Sequence, residues 1–282
     1  MAKPIIEAVT DATLDEFAEF LHQHLSHEQS AAQWADRFRA AWTDSRPNYG
    51  FVLRDAGNIV GGIGAFYAER TIRGQLEKTC NITSWCVLDA YRQQSMRLAM
   101  SVIGQPGYHF TDFSPTKVVS GTLQFFKFRP LDERQAVLLN LPSLLSKGKV
   151  LDRRAEIEAA LEGPQLQIYR EHADFPWLRH IVLGMPGDWC HIIYKRRTFK
   201  GFPAASVIYL SNGETFCKYF RRLGGYFLVK GLISTHVECR FLPYLPSPSA
   251  VRSGFNPKLY LSQTLQDGDI DYLYSETVAL DL

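Results

Sequence analysis

The segment CNITSWCVLDAYRQQSMRL at residues 80–98 constrains the fold more than any other stretch of the chain. Its first nine residues alternate and are rich in strand formers. The pattern breaks at Asp89-Ala90, and a helical one follows, with Met96, Ala99, Met100 and Ile103 on one face. A strand running straight into a helix places unpaired N–H groups and a positive dipole end at the strand's tip. Such a junction binds anions, and Arg92 and Arg97 add charge around it, so a phosphate-bearing cofactor fits there.

Val87-x-x-x-Tyr91, followed by Arg92-Gln93-Gln94-Ser95-Met96-Arg97, resembles the GNAT acyltransferase superfamily. In that family the fourth strand leads into an Arg-x-x-Gly-x-Gly/Ala loop that holds the pyrophosphate of acyl-CoA. Arg92 matches the arginine, while Ser95 and Arg97 replace the glycines. A side chain at Ser95 narrows the loop, and its hydroxyl can itself donate to a phosphate. Residues 109–113 then fit a short strand, Ser114-Pro115 a helix start, and Val119, Leu123 and Phe126 the stripe of that helix, in the family's order. The family often closes this helix with Tyr-x-x-x-Gly-Phe, the tyrosine protonating the departing thiolate. The matching positions here are Leu123, Lys127 and Phe128, so only the phenylalanine remains.

The resemblance implies an α/β fold of mixed, mostly antiparallel sheets flanked by helices, with acetyl-CoA or another acyl-CoA as cosubstrate. The pantetheine arm would pair with the backbone of the fourth strand, which implicates Trp85, Val87 and Leu88, with the thioester held near Val87. Arg92, Gln94 and Ser95, flanked by Met96 and Arg97, would hold the pyrophosphate. The fourth strand carries Asn81, Thr83 and Ser84 but no carboxylate to serve as base. His109 and Asp112 are the nearest titratable pair. Three apart on a strand, they point to opposite faces, so at most one faces the cleft. Each also has a structural reading, Asp112 as a helix cap, and a primary amine could arrive already neutral.

The chain has 282 residues, 46% of them apolar, which suits one large domain or two of ordinary size. A net charge of +2 gives no field that recruits nucleic acid or a membrane surface. Five cysteines without a Cys-x-x-Cys spacing, and no apolar leader or spanning run, fit a soluble cytoplasmic protein with reduced thiols. Cys86 reads as a buried thiol rather than a nucleophile. His22, His24 and His27 read as a solvated helix end, so no metal is expected. The partner expected is a small-molecule acceptor, with no nucleic acid; the oligomeric state is open, a homo-oligomer included.

Along the chain, residues 4–9 fit a first strand. Thr13-x-x-Glu16 and Ser30-x-x-Gln33 are capping boxes before two amphipathic helices, and residues 49–54 and 59–69 form a hairpin. Gly61-Gly62-Ile63-Gly64 reads as a bulge or close-packing site in the second hairpin strand. Residues 135–141 carry one more strand, and the linker-like run from Pro142 to Lys149 sets a boundary, giving lobes 1–145 and 146–282. In the second lobe 155–161, 177–183 and 214–223 fit helices, and 190–194, 204–210 and 232–241 strands. This half echoes the first weakly and without an Arg-x-x-Gly loop or its strand, which suggests tandem GNAT-like lobes, the second degenerate. The expected activity is acyl transfer from acyl-CoA to an amine or hydroxyl of a small acceptor, a sugar or an anionic metabolite among the options. The alternative is a non-catalytic binding or regulatory protein on the same scaffold.

Overall fold

The computed structural model describes residues 4–40, 42–43, 45–143 and 146–281. The chain forms two compact units. One takes residues up to 131, 257–265 and those from 274 onward, and the other takes 132–256 and 266–273. The first unit begins β1 (Ile5–Ala8), α1 (Leu14–His24), α2 (Ala31–Phe38), β2 (Gly50–Asp55), β3 (Asn58–Ile72) and β4 (Gln75–Val87). A 3-10 turn, Asp89–Gln94, then leads to α3 (Ser95–Ile103), β5 (Tyr108–Asp112), α4 (Lys117–Phe125) and β6 (Arg129–Pro130). The second unit holds β7 (Gln135–Leu139), β8 (Lys149–Leu151), α5 (Arg154–Ala160), α6 (Gly163–His172) and β9 (Arg179–Met185). It continues with β10 (Asp188–Phe199), β11 (Phe202–Leu210), α7 (Gly213–Val229), β12 (Ser234–Glu238) and β13 (Ser249–Arg252). The first unit is completed by β14 (Leu259–Leu261) and α8 (Glu276–Ala279).

Each unit has a seven-stranded sheet, in the order β1-β2-β3-β4-β5-β14-β6 and β13-β7-β12-β11-β10-β9-β8. Each sheet is antiparallel except for one pair, β4 with β5 and β11 with β12. The second sheet therefore does contain a counterpart of β4, namely β11, which the sequence comparison of the two halves omitted. The strand expected to close the first lobe does not join it. β7 pairs with β12 and β13, its Ala136 and Leu138 buried in the second unit's core, and β14 pairs with β5 in its stead. The units divide after residue 131, ahead of the expected boundary near 145, and the chain later returns to the first unit; residues 144 and 145 lie outside the described residues.

Local chemistry explains most of the elements. Leu14, Phe17, Ala18 and Leu21 form the buried face of α1, and Ser30 and Gln33 cap α2 reciprocally. Thr13 does not cap α1; its hydroxyl accepts from the Thr10 amide instead. α4 starts later than Ser114-Pro115, at Thr116, whose hydroxyl accepts from the Val119 amide at 3.3 Å. α3 buries Leu98, Ala99 and Val102 and exposes Met96 and Met100, so its inner face is rotated from the expected one. Residues 179–185 are a strand rather than a helix. Ile181 and Leu183 face one cluster and Val182 another, so both faces are apolar and the run carries no strand period.

A Cβ on Gly62 would lie 2.4 Å from the Phe17 ring, and one on Gly64 2.6 Å from Phe38, so these glycines let α1 and α2 close on β3. The register shift of β3 against β4 falls between them. α4 ends with Phe128 N–H donating to the Leu123 carbonyl and Lys127 N–H to that of Gln124, and Lys127 has φ 70°. This Schellman ending wants glycine at the left-handed position, and Lys127 holds that conformation at a cost.

In the second unit, Glu238 and Arg240 pair at 2.6 Å with both side chains buried, and the guanidinium also donates to the Asp267 carbonyl at 2.7 Å. On α6, β9 and β10 sits a histidine cluster. His180 Nε2 donates to the His172 carbonyl at 3.2 Å, which leaves its Nδ1 to accept from His191 Nε2 at 3.3 Å. His191 Nδ1 is then a buried acceptor without a partner. Burial pushes His180 down to about 4 and His191 well below the usual histidine range.

Two outcomes follow from these observations. Lys127→Gly should raise the unfolding free energy by about 0.5–1 kcal/mol in urea titrations, since the left-handed strain is removed. Histidines held neutral when folded but protonated when unfolded give stability that is complete above pH 6.5 and lost as pH falls toward 4. His180 alone accounts for about 3 kcal/mol of that loss, and His180→Gln should flatten this part of the stability–pH curve.

Candidate functional site

β4 and β5 pair only from Lys78↔Tyr108 to Asn81↔Thr111. β4 then runs on to Val87, bonded on its β3 side alone, and the two strands part. Asn81 sits in this fork. Its Nδ2 donates to Thr111 Oγ1 at 3.1 Å, and its Oδ1 accepts from the Glu276 amide at 2.7 Å. Just beyond, Ser84 has φ 49°, and Ser84 and Trp85 together oppose the single residue Ile63, a bulge on β4. The Leu88 amide donates to the Val60 carbonyl at 3.0 Å. Backbone groups alternate between strand edges, so those of Val87 and Trp85 point to the unpaired one.

A cleft of about 280 Å³ opens at the fork. Thr83, Ser84 and Trp85 of β4 form one wall, and Asp112, Ser114 and Pro115 the floor beside β5. Leu25, Gln29 and Trp34 also line it, with Glu276 of α8 and Leu280 just past that helix. Every lining residue belongs to the first unit. Glu276 Oε1 accepts from the Phe113 amide at 2.9 Å, and Asp112 Oδ1 from the next amide, Ser114, at 3.2 Å. Two buried carboxylates thus share one turn. Burial, and then the neighbouring Glu276 charge, holds Asp112 well above the usual carboxylate range. Burial raises Glu276 as well, while the Thr83 hydroxyl and the Phe113 and Ser114 groups pull the other way. Glu276 Oε2, Trp85 Nε1 and Gln29 Oε1 are buried without a well-formed hydrogen bond.

Of the residues expected at the site, Trp85 and Asp112 line the cleft. Val87 lies on the free edge just past it, whereas the Leu88 amide is committed to β3. His109 lies elsewhere, its Nε2 2.9 Å from Glu77 Oε2 and its Nδ1 2.8 Å from Ser262 Oγ. Arg92 pairs with Asp89 at 2.7 Å, both exposed. The Ser95 amide is spent on the Arg92 carbonyl, because the 3-10 turn starts the helical run at Asp89. Gln94 Oε1 accepts from Arg97 at 2.8 Å, and Arg97 also donates to the Pro4 carbonyl. Met96 is exposed on α3, Leu123 is a fully buried core residue, and burial pushes the Cys86 thiol up, away from thiolate chemistry. Glu276 was not foreseen. It is 164 residues from Asp112 in sequence, and its only local signal is a Ser275 cap ahead of a four-residue helix.

The sequence matches no protein family and no curated protein. Solved structures do resemble it. A GCN5-related N-acetyltransferase from Anabaena variabilis superimposes with a TM-score of 0.61 at 10% identity, over 92% of this chain and 72% of that one. Another from Kribbella flavida gives 0.55 at 12% identity, over 92% and 70%. The fold is that of the GCN5-related N-acetyltransferases. Eis1 from Mycobacterium abscessus shares it, with a TM-score of 0.54 at 13% identity over 91% of this chain and 73% of that one. Both sheets of the present GNAT fold have the single parallel pair, and in the first unit a cleft opens beside it. In the second, the start of α7 is covered by its own unit: a Cβ on Gly213 would lie 2.3 Å from the Phe241 carbonyl.

The carboxylate pair predicts a stability signature. A carboxylate whose folded affinity for protons is raised destabilises the fold once it ionises, so the penalty is full above the raised value and vanishes at acid pH. Asp112→Asn keeps an acceptor for the Ser114 amide and removes the repulsion. It should therefore raise the unfolding midpoint at pH 7.5, with the gain shrinking as pH falls into the acid range.

Proposed function

We propose that the chain is an acyl-CoA-dependent acyltransferase that moves an acetyl or other acyl group to an amine or hydroxyl of a small acceptor. The observation that carries this reading is the unpaired edge of β4 at the fork, beside a cleft floored by buried carboxylates. The pantetheine arm would add to that edge as a further strand, and the Val87 amide would polarise the thioester carbonyl. Asp112, which lines the cleft, would receive the acceptor's proton. Leu123 cannot protonate the departing thiolate, so that proton comes from the acidic pair or from water. Arg92, Gln94, Ser95, Met96 and Arg97 would surround the pyrophosphate. The exposed Arg92–Asp89 pair costs at most about 1 kcal/mol to open, so Arg92 can exchange its partner for a phosphate. The first lobe, 1–145, would carry this site together with the returning C-terminal segment, and the lobe from 146 would not. Five unpaired cysteines support a reducing, cytoplasmic setting. Among the described residues no helix is long and apolar enough to cross a membrane.

One observation favours the second reading, a binding protein without catalysis: the anion-binding junction has its arginine paired and its Ser95 amide spent. Calorimetric titration with acetyl-CoA separates the two. Micromolar affinity is expected, falling at least about tenfold in Arg92→Glu, roughly one charge-assisted contact. No heat with acetyl-CoA or longer acyl-CoAs at hundreds of micromolar would sink the transferase reading.

A further inference from the structure

We infer that one end of the second unit's sheet is a docking surface for an anionic lipid bilayer. β11 and β12 begin at this end and β7 finishes there, Ser234 pairing with both Ala204 and Leu139. The Ile233 amide donates to the Pro203 carbonyl and the Asn140 amide to the Ile233 carbonyl, each at 2.9 Å. These bonds set Phe202, Ile233 and the run from Leu139 to Leu141 side by side. α7 finishes at the same place, since the Asn140 side chain holds the Leu232 carbonyl, three residues past Val229, at 2.9 Å. Leu139, Leu141, Phe202, Val229 and Ile233 are all exposed, Phe202 at 60% and Val229 at 87%. Single exposed apolar side chains are ordinary; five gathered at one end of a sheet mark an interaction surface.

The two most exposed of these stand on tight turns. Phe202 follows Lys200-Gly201, the left-handed turn of the β10–β11 hairpin, with φ 48° and 83°. Val229 precedes Lys230-Gly231, where Gly231 has φ 77°. A protein partner would need a matching pocket for each such side chain, whereas the fluid interface of a bilayer admits protruding apolar groups directly. A lysine beside each one is suited to this role, its stem running along apolar surface and its ammonium staying at the headgroups.

Charge identifies the kind of bilayer. Between Asp188 and Glu214 the sequence holds Lys195, Arg196, Arg197 and Lys200 and no acidic residue. Between Glu214 and Glu238 it holds Lys218, Arg221, Arg222 and Lys230, again with none. Lys195 is buried and Lys218 pairs with Asp188 at the far end of α7, but Arg196, Lys200, Arg221 and Arg222 are exposed. Arg196 donates to the Lys230 carbonyl at 3.2 Å, which ties the β10 charges to the end of α7. A cleft of about 120 Å³ lined by Leu139, Leu141, Phe220 and Arg221 joins the apolar end to the helix charges. Asp152 offsets Lys230, 3.1 Å from its Nζ. The chain's net charge of +2 exerts little pull as a whole. Charges are screened beyond about 8–10 Å, so a surface is attracted by the cations gathered close to it. Apolar turns ringed by cations match anionic phospholipid on both counts.

The proposal is independent of acyl transfer, and sedimentation of the full chain with lipid vesicles tests it. Vesicles of phosphatidylcholine containing about a third phosphatidylserine should bind the chain at least about tenfold more strongly than phosphatidylcholine alone. Each cation near such a surface is worth about fivefold, so Lys200→Glu with Arg221→Glu should cost at least about tenfold. Phe202→Ser with Val229→Ser keeps every charge and should cost a similar factor, about tenfold, that added salt does not remove. Brominated acyl chains should quench Val229→Trp beyond the unsubstituted chain. Circular dichroism checks that each variant folds, and titration with acetyl-CoA should be the same in all of them. No preference for anionic vesicles would overturn the proposal. Binding that the paired serine substitutions leave unchanged would do so too, as adsorption by charge alone. Equal affinity for soluble polyglutamate would also overturn it and assign the surface to an acidic protein.

Discussion

The structure of the first unit turns on the point where β4 and β5 stop pairing. Parallel strands that separate expose backbone groups that must find other partners. Asn81 resolves this at the fork itself, its amide spanning to Thr111 on one side and receiving the Glu276 amide on the other. The C-terminal helix is thereby fastened into the gap between the strands. Its Glu276 carboxylate then takes the Phe113 amide just beyond β5. Beyond Asn81 the β4 edge has no strand beside it, and the bulge at Ser84, held in a left-handed conformation, turns the wall of the cleft. Strain kept at a concave, polar site is a common mark of function.

The two sheets share an order of strands but differ at this point. β11 and β12 also form a lone parallel pair, over Ala204↔Ser234 to Ser206↔His236, and β11 also leads into a helix. There Asn212 caps α7, and the Phe241 carbonyl lies against Gly213. At the start of α7 the Phe241 carbonyl takes the space beside Gly213, whereas a cleft opens beside the parallel pair of the first unit.

Buried polarity is also handled differently. The first unit concentrates acidic groups whose charge is uncompensated, which is destabilising and chemically useful. The second pairs Glu238 with Arg240 and keeps His180 and His191 neutral, arrangements that fix local geometry and make this unit sensitive to acid.

Much of the fold was legible in the sequence because it rests on local rules. The α1 and α2 stripes, the Ser30 box, the hairpin with its glycine bulge, and the strand-to-helix junction at residues 80–98 all depend on neighbours a few residues apart. At that junction the Leu88 amide bonds the Val60 carbonyl and a 3-10 turn leads into α3, with Ser95 and Arg97 in the place of glycines. At the end of α4, Lys127 keeps the left-handed turn that glycine would have marked. The helix expected at 177–183 is instead the strand β9, because burial on both faces removes the period of two. Long-range pairing decided the rest. Which sheet β7 and β14 join depends on partners far away in the chain, and no local pattern encodes them. The sequence alone determined most of the local elements of the first unit, including the strand-to-helix junction at residues 80–98. Only the tertiary structure brought Glu276 to Asp112, because two carboxylates 164 residues apart become neighbours solely through the fork that Asn81 holds.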